Sequence, residues 1–425
     1  MSMRTLLAWP ARHAKPLLLA LLTLVAYVAA INRVQALPWA IAALMLATLL
    51  TGVLWPHWLV RKLSVARQGP DRAEEGEVVT FHVEVVNHGL LPRFMIELVD
   101  HLPFVGAASG PVRHGPTLLG MVAHVPGGGR RRFDLSIPCE KRGFYRLGPV
   151  GLASSFPLGL AEARRFRNAG VQSLTIYPDI FTIVSLPLRG DPSQIHRGGY
   201  LLPEGAGAAE FSGLREYRRG DNPRHVHWPT TARLNELMIK EFEPLASARL
   251  RIVLDQSARA CVGEGRHASF EYAVRIAGSV ARYACLNNLP VGLVGEGARP
   301  VYRSTGLGEH HYQELLDELA VIDADGATPY AEVLRRVAVD CHQGETVLVF
   351  LGEPAAMLAN TLQALAWLRA RGAHLLAVIF TRASFQPIAG AADDGAAQAA
   401  AALLDMGAHC LQVAQGDDLV KLFNP

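Results

Sequence analysis

The stretch that decides the fold is RLRIVLDQSARACVGEGRHASFEYAVRIAGSVARYACLNNLPVGLVGE, residues 249–296. It opens on a short apolar strand ending in Asp255, passes through a turn into a helix of period 3.6 (268–288), and closes on a second apolar strand. The same alternation runs on. Helical patterns at HHYQELLDELAVI and TPYAEVLRRVAVDCH precede strand TVLVFLG, and helix AAMLANTLQALAWLRARG precedes strand HLLAVIF. Helix AAQAAAALLDMG and strand HCLQV complete the pattern. Apolar strands separated by amphipathic helices predict a mostly parallel, Rossmann-type α/β sheet covered on both faces, over residues 249–425. Such sheets take ligands at the carboxyl ends of their strands, and the first of those ends carries Asp255 and Ser257.

Working outward toward the N-terminus, the period changes to two. In GEVVTFHVEVVNHG, Val79, Phe81, Val83 and Val85 alternate with polar residues up to a turn signal. FMIELVDHLP and RRRFDLSIPCEKRGFYRLGPVGL repeat this style, with frequent Gly and Pro between them. Residues 63–185 are therefore expected to form an all-β sandwich domain, without a catalytic cluster.

Residues 1–62 read as a transmembrane helical hairpin. Seventeen uncharged residues separate Lys15 from Arg33, and twenty-seven separate Arg33 from Arg61. At about 1.5 Å per residue the first run reaches about 26 Å and the second is ample for a ~30 Å hydrocarbon core. Trp39 and Trp55 lie near the ends of the second run, as an aromatic belt would place them. Arg4, Arg12 and Lys15 precede the first run and Arg61, Lys62 and Arg67 follow the second, against Arg33 alone in the short connection. The positive-inside rule puts both termini and the soluble domains in the cytoplasm, with the lipid bilayer as an obligatory partner. Cleavage of the first run as a signal peptide is the competing reading, and it leaves the soluble part on the same side.

Composition excludes several classes. A net charge of +3 with dispersed basic residues gives no footprint for nucleic acid. Five widely spaced cysteines without a C-x-x-C pair fit neither a zinc site nor a disulfide framework, and suit a reducing compartment. Neither a P-loop nor a dinucleotide fingerprint, a zincin motif or a nucleophile elbow occurs.

Between the β and α/β regions, residues 186–248 carry the densest chemistry. Glu210, Arg215, Tyr217, Asp221, Arg224, His227, Trp228, Thr231, Arg233, Lys240 and Glu241 fall within EFSGLREYRRGDNPRHVHWPTTARLNELMIKEFEP. Guanidinium groups forking onto carboxylates and stacking on rings would make a structural or partner-binding network of them, with LMIKEFEP a strand leading into the sheet. This segment resembles the signature of the domain of unknown function 58 (DUF58) family. The matching elements are Glu210-Phe211, Leu214 to Tyr217, Gly220-Asp221, Arg224 to Trp228, Thr231 to Arg233 and Lys240 to Glu243, with Val226 where Ile is usual. The resemblance implies a C-terminal domain like von Willebrand factor type A. Such domains often hold Mg²⁺ through an Asp-x-Ser-x-Ser turn, a distant Thr and a distant Asp. Here Asp255, Ser257 and Thr328 match, Arg259 replaces the third turn ligand, and Leu351, Gly352 and Glu353 stand where the last Asp should follow its strand. The site is thus a degenerate metal site, with Arg259 a candidate to pair with Asp255 in place of the cation, and no cofactor is required. Resemblance further implies a non-enzymatic adaptor that binds a MoxR-family AAA+ ATPase, alongside other von Willebrand factor A or transglutaminase-like membrane proteins. It would couple that ATPase to assembly or maturation of a client complex. The alternative is a hydrolase using Asp221, His227 and Glu241 as acid–base groups.

Overall fold

The computed structural model describes residues 3–32, 36–106, 117–166, 171–187, 209–217, 226–234, 236–244, 249–385 and 395–424. They fall in two compact units, Met1–Tyr177 and Pro178–Pro425.

The first unit opens with helices α1 (Met3–Asn32) and α2 (Ala36–Leu59). Segments Ala14–Asn32 and Ala36–Leu59 have mean hydropathies of 2.1 and 2.0, long and apolar enough to cross a membrane. Their apolar side chains point outward (Leu37 is 70% and Leu44 69% exposed), which in water would be costly and in lipid is free. The helices meet through Tyr27 and Trp39, edge to face at 5.6 Å.

The last turn of α2 runs into a β-rich region. Leu59 and Val60 are buried there, and the Arg93 guanidinium lies 3.6 Å over the Trp58 ring. Strands β1 (Leu63–Gln68), β3 (Val78–Asn87) and β6 (Arg130–Pro138) form one antiparallel sheet. A second sheet runs in the order β5 (Thr117–Val125), β4 (Arg93–Asp100), β8 (Gly151–Ser154), β9 (Ala163–Phe166). A third joins β2 (Arg72–Glu74), β10 (Gln172–Tyr177) and β7 (Gly143–Leu147). The period-two reading of β3 is reproduced: Val79, Phe81, Val83 and Val85 are buried while Thr80 and His82 face out. Leu63, Val65, Val83 and Val85 of the first sheet share a core with Ile96, Leu98, Val122 and Leu152 of the second. Across this domain Arg67 and Asp100, both fully buried, form an ion pair.

The second unit carries the α/β region. Its six-stranded sheet has the order β15 (Val301–Gly306), β14 (Val291–Gly295), β13 (Leu250–Leu254), β16 (Thr346–Leu351), β17 (His374–Phe380), β18 (His409–Val413). Every pairing is parallel except β14 with β15. The sequence reading passed over β15 because VYRSTG is an edge strand, mostly exposed and without an apolar run. Helix α4 (Ser269–Leu286) is buried almost throughout, while α5 (Gly308–Val321), α6 (Tyr330–Asp340), α7 (Ala355–Ala370) and α9 (Gly395–Asp405) each bury an apolar stripe. Short helices α8 (Arg382–Phe385) and α10 (Leu419–Phe423) complete the unit.

Upstream, β11 (Ala209–Glu216) and β12 (Met238–Pro244) pair with each other as a two-stranded antiparallel sheet flanking α3 (Trp228–Leu234). The segment expected to lead into the α/β sheet is thus a strand, but its partner is the strand that begins the signature.

Candidate functional site

In the α/β sheet the chain leaves β13 toward β14 and β15, then returns to the other side of β13 to build β16, β17 and β18. The strand order therefore reverses between β13 and β16. At such a switch point the connections diverge and leave a crevice beyond the carboxyl ends of the strands. Asp255 follows β13, and Glu353 stands two residues beyond β16.

The loop after β13 is held by backbone bonds. Ser257 bridges to Gly326, with Gly326 N–H donating to the Gln256 carbonyl (2.8 Å) and Ala258 N–H to the Gly326 carbonyl (3.0 Å). Only glycine fits there, since a Cβ at Gly326 would stand 2.4 Å from the Glu296 carbonyl oxygen. This zipper carries Thr328, two residues on, toward the Asp255 turn. Asp255, Ser257 and Thr328 thus belong to two loops that the fold stitches together.

Asp255 Oδ1 accepts from Ser257 N–H at 3.0 Å, whereas Oδ2 is buried without a hydrogen-bond partner. Burial pushes this carboxyl up to about 7 and the nearby Glu353 charge adds to the shift, against the opposing pull of the Ser257 hydrogen bonds. Glu353 is also raised by burial, opposed by the Thr361 hydroxyl, the Tyr330 backbone and the Arg382 charge. Thr361 donates directly to Glu353 Oε2. Arg259 does not take the cation's place: its side chain is exposed and makes no ion pair with Asp255. Arg382, at the end of β17, is the cation of this crevice instead. Its Nη1 donates to the carbonyls of Arg259 (3.2 Å), Ala260 (3.4 Å) and Gly352, tying the β13 loop to the β16 exit.

Tyr330 has the most consequential position that the sequence reading missed. The β13–β16 ladder ends at Val253 opposite Val349. There the fully buried Tyr330 hydroxyl donates to the Val253 carbonyl (2.7 Å) and accepts from Phe350 N–H (3.3 Å), filling the place of the next rung. Its position directly after the Thr328 loop was visible, but its partner 77 residues away was not. A small cleft opens beside the pair, lined by Asp255, Cys261, Ser269, Phe270, Phe350 and Phe380. The Cys261 thiol there is raised, chiefly by burial, against the lowering pull of the Phe270 backbone and the Arg382 charge.

A hard cation takes about six or more oxygen ligands, and Mg²⁺ keeps several waters beside one or two carboxylates. Here Asp255 offers a single unengaged oxygen, and Glu353 is held by Thr361 with the Arg382 charge near it. Among the described residues, no group of three or more His, Cys, Asp or Glu side chains is placed to hold a metal ion.

In the signature segment, Asp221 and Arg224 lie outside the described residues. Glu210, Arg215, Lys240 and Glu241 are placed by backbone register, with Glu210 opposite Glu243, Gly213 opposite Glu241, Leu214 opposite Lys240 and Arg215 opposite Ile239. His227 caps α3: its carbonyl accepts from Thr230 and Thr231 N–H, and its Nδ1 pairs with the Thr230 hydroxyl at 2.8 Å. Thr231 Oγ1 accepts from Met238 N–H (3.1 Å), and His227 N–H donates to the Met238 carbonyl (2.8 Å), so α3 is stitched to β12. Tyr217 N–H closes the hairpin on Leu237 (2.8 Å). Around this seam Trp228, Leu234, Leu237 and Tyr217 are exposed, Trp228 to 65%, and Arg233 is exposed beside them. Among the described residues no guanidinium stacks on Trp228 or Tyr217.

The chain is 29% identical over 122 residues to Uncharacterized protein YeaD of Bacillus subtilis (strain 168), a match covering 29% of each chain. It therefore spans under a third of that relative's length. Among solved structures, the CARDB domain of the PF1109 protein from Pyrococcus furiosus matches at a TM-score of 0.19 and 13% identity, over 27% of this chain and 86% of that one. A GH20 exo beta-N-acetylglucosaminidase from Vibrio harveyi matches at 0.18 and 9% identity, over 75% and 57%. Both likenesses are too slight to bear on fold or function. Residues 213–378, from the signature hairpin through β17, match the family model described as Protein of unknown function DUF58.

Proposed function

We propose that this chain is a non-enzymatic adaptor, tethered by its helical hairpin to the bacterial inner membrane with its soluble domains in the cytoplasm. The observation that carries this reading is the exposed cluster of Trp228, Tyr217, Leu234 and Leu237 on a seam pinned by backbone hydrogen bonds. Aromatic and arginine side chains held rigidly at a surface are the usual anchors of protein interfaces, because little entropy remains to be lost on binding. The partner we assign is a MoxR-family AAA+ ATPase, with other von Willebrand factor A or transglutaminase-like membrane proteins in the same assembly. The α/β region is read as a von Willebrand factor A-like domain, which its parallel sheet and the Asp255–Ser257–Thr328 loops support. Its degenerate metal site works as a structural joint without a divalent cation. Isothermal titration of the full chain with Mg²⁺ or Mn²⁺ checks this part: no saturable heat is expected, and stoichiometric binding lost in Asp255→Asn would refute it.

Pull-down of the detergent-solubilised chain with a purified MoxR-family ATPase tests the adaptor role. Recovery is expected from the parent and weakened recovery from Trp228→Ala, Asp221→Ala and Arg224→Ala. The hydrolase alternative rests on Asp221, His227 and Glu241. Normal ATPase recovery by these variants, together with substrate turnover abolished by His227→Ala, would establish it and overturn the adaptor reading.

A further inference from the structure

Helix α2 and the β domain belong to one compact unit, and this sets the depth of the loops around the helix exit. Trp55 and Trp58 pack together at 5.2 Å near the end of α2, and an aromatic pair there marks the membrane–water interface. Gly52 lies three to six residues earlier, about 5–9 Å deeper along the helix. It is buried, because the β8–β9 loop covers it: a Cβ at Gly52 would stand 2.5 Å from Leu160 Cδ1. The loop thus reaches past the aromatic pair to the apolar side. Its sequence from Ser154 to Leu160 is SSFPLGL, free of charge, and it leaves Phe156 and Leu158 exposed.

A second loop lies at the same exit. His88 N–H donates to the Lys62 carbonyl (2.8 Å) and His88 Nε2 pairs with the Ser64 hydroxyl (2.8 Å), fixing the β3–β4 turn beside the first residues after the helix. That turn presents Leu90, 97% exposed, and Leu91, 58% exposed. Arg61 and Lys62, also exposed, stand between the two loops' attachment points, where lipid phosphates would meet them.

We propose that the β8–β9 loop and the β3–β4 turn enter the bilayer interface, so that the β domain lies against the lipid surface and does not swing from a tether. The proposal rests on the hairpin crossing the membrane. Apolar side chains carried at the depth of an apolar helix are buried by lipid, and the flanking cations meet anionic headgroups. The domain's orientation toward the membrane is then set by its own fold.

Photocrosslinking tests this. p-Benzoylphenylalanine is incorporated singly at Leu158, Leu90, Leu44 or Val78 of the full chain, reconstituted in phosphatidylethanolamine–phosphatidylglycerol vesicles, and lipid adducts are read by intact mass. Leu44 is an exposed side chain of α2, and Val78 is exposed at the opposite end of β3 from Asn87, about 30 Å away. Adducts are expected at Leu44, Leu158 and Leu90 and not at Val78. Adducts at Leu44, with Leu158 and Leu90 no higher than Val78, would overturn the proposal while leaving the hairpin standing. Absence at Leu44 as well would overturn the hairpin and the proposal together.

Discussion

Replacing Asp255 with Asn should stabilise the second unit, and by an amount that grows with pH. Asp255 titrates near 7 in the fold against 3.8 in the unfolded chain, because burial disfavours its charge. A group raised in this way contributes its full stability below the unfolded value and loses it as pH rises through the folded one. With about 1.4 kcal/mol per unit, ionising Asp255 costs the fold up to ~4 kcal/mol between about pH 4 and pH 7. Asn keeps the acceptor that Ser257 N–H uses and puts a neutral amide where Oδ2 has no partner. The difference between Asp255→Asn and parent should therefore be small near pH 4.5, rise through pH 6 and level off above about pH 7.5. Urea unfolding of the full chain in detergent, followed at several pH values, reads this directly. Glu353 titrates in both proteins and largely cancels in the difference. A difference flat from pH 4.5 to 8, or one favouring the parent at high pH, would refute the idea that a buried, uncompensated carboxylate sits at the switch point.

Tyr330→Phe strips the hydroxyl from between β13 and β16 and leaves the Val253 carbonyl and Phe350 N–H unsatisfied, so a loss of about 2–4 kcal/mol is expected by urea unfolding, with faster hydrogen exchange at Phe350. A loss under about 0.5 kcal/mol would show that the ladder closes without it. In the β domain, Asp100→Ala removes the buried carboxylate that Arg67 pairs with and should cost about 3–5 kcal/mol, whereas replacing both residues with apolar ones should cost far less; equal losses from the two would contradict this. Protease added to sealed inverted membrane vesicles should digest the soluble domains, and added to right-side-out vesicles should spare them; the reverse pattern would invert the topology.

Local periodicity made much of the architecture legible. The alternation of Val79, Phe81, Val83 and Val85 and the strand–helix rhythm after Arg249 both report burial within a few residues, so pattern alone locates them. The hairpin was legible for the same reason, as length and apolarity are properties of one segment. The site was legible only in part. Asp255 and Ser257 stood out at the end of the first strand and Thr328 only through the family resemblance, but their chemistry depends on what faces them: Arg259 points to solvent, Arg382 comes in from β17, and the Thr361 hydroxyl takes up Glu353. These are contacts between distant segments, and no period encodes them. In the signature, His227 was a candidate for the network or for acid–base chemistry, yet its immediate use is as the cap of α3, a role its Thr230 and Thr231 neighbours could have revealed. The exposure of Trp228 was invisible for the opposite reason, since a tryptophan among charges reads as one meant to be covered.

The most direct test of the account is the affinity of a purified MoxR-family ATPase for the full chain in lipid nanodiscs, by biolayer interferometry, for parent and Trp228→Ala. Saturable binding is predicted, weakened at least about tenfold by the substitution, the loss expected of an interface anchor worth over 1.4 kcal/mol. Absence of binding, or equal affinity for both proteins, would contradict it.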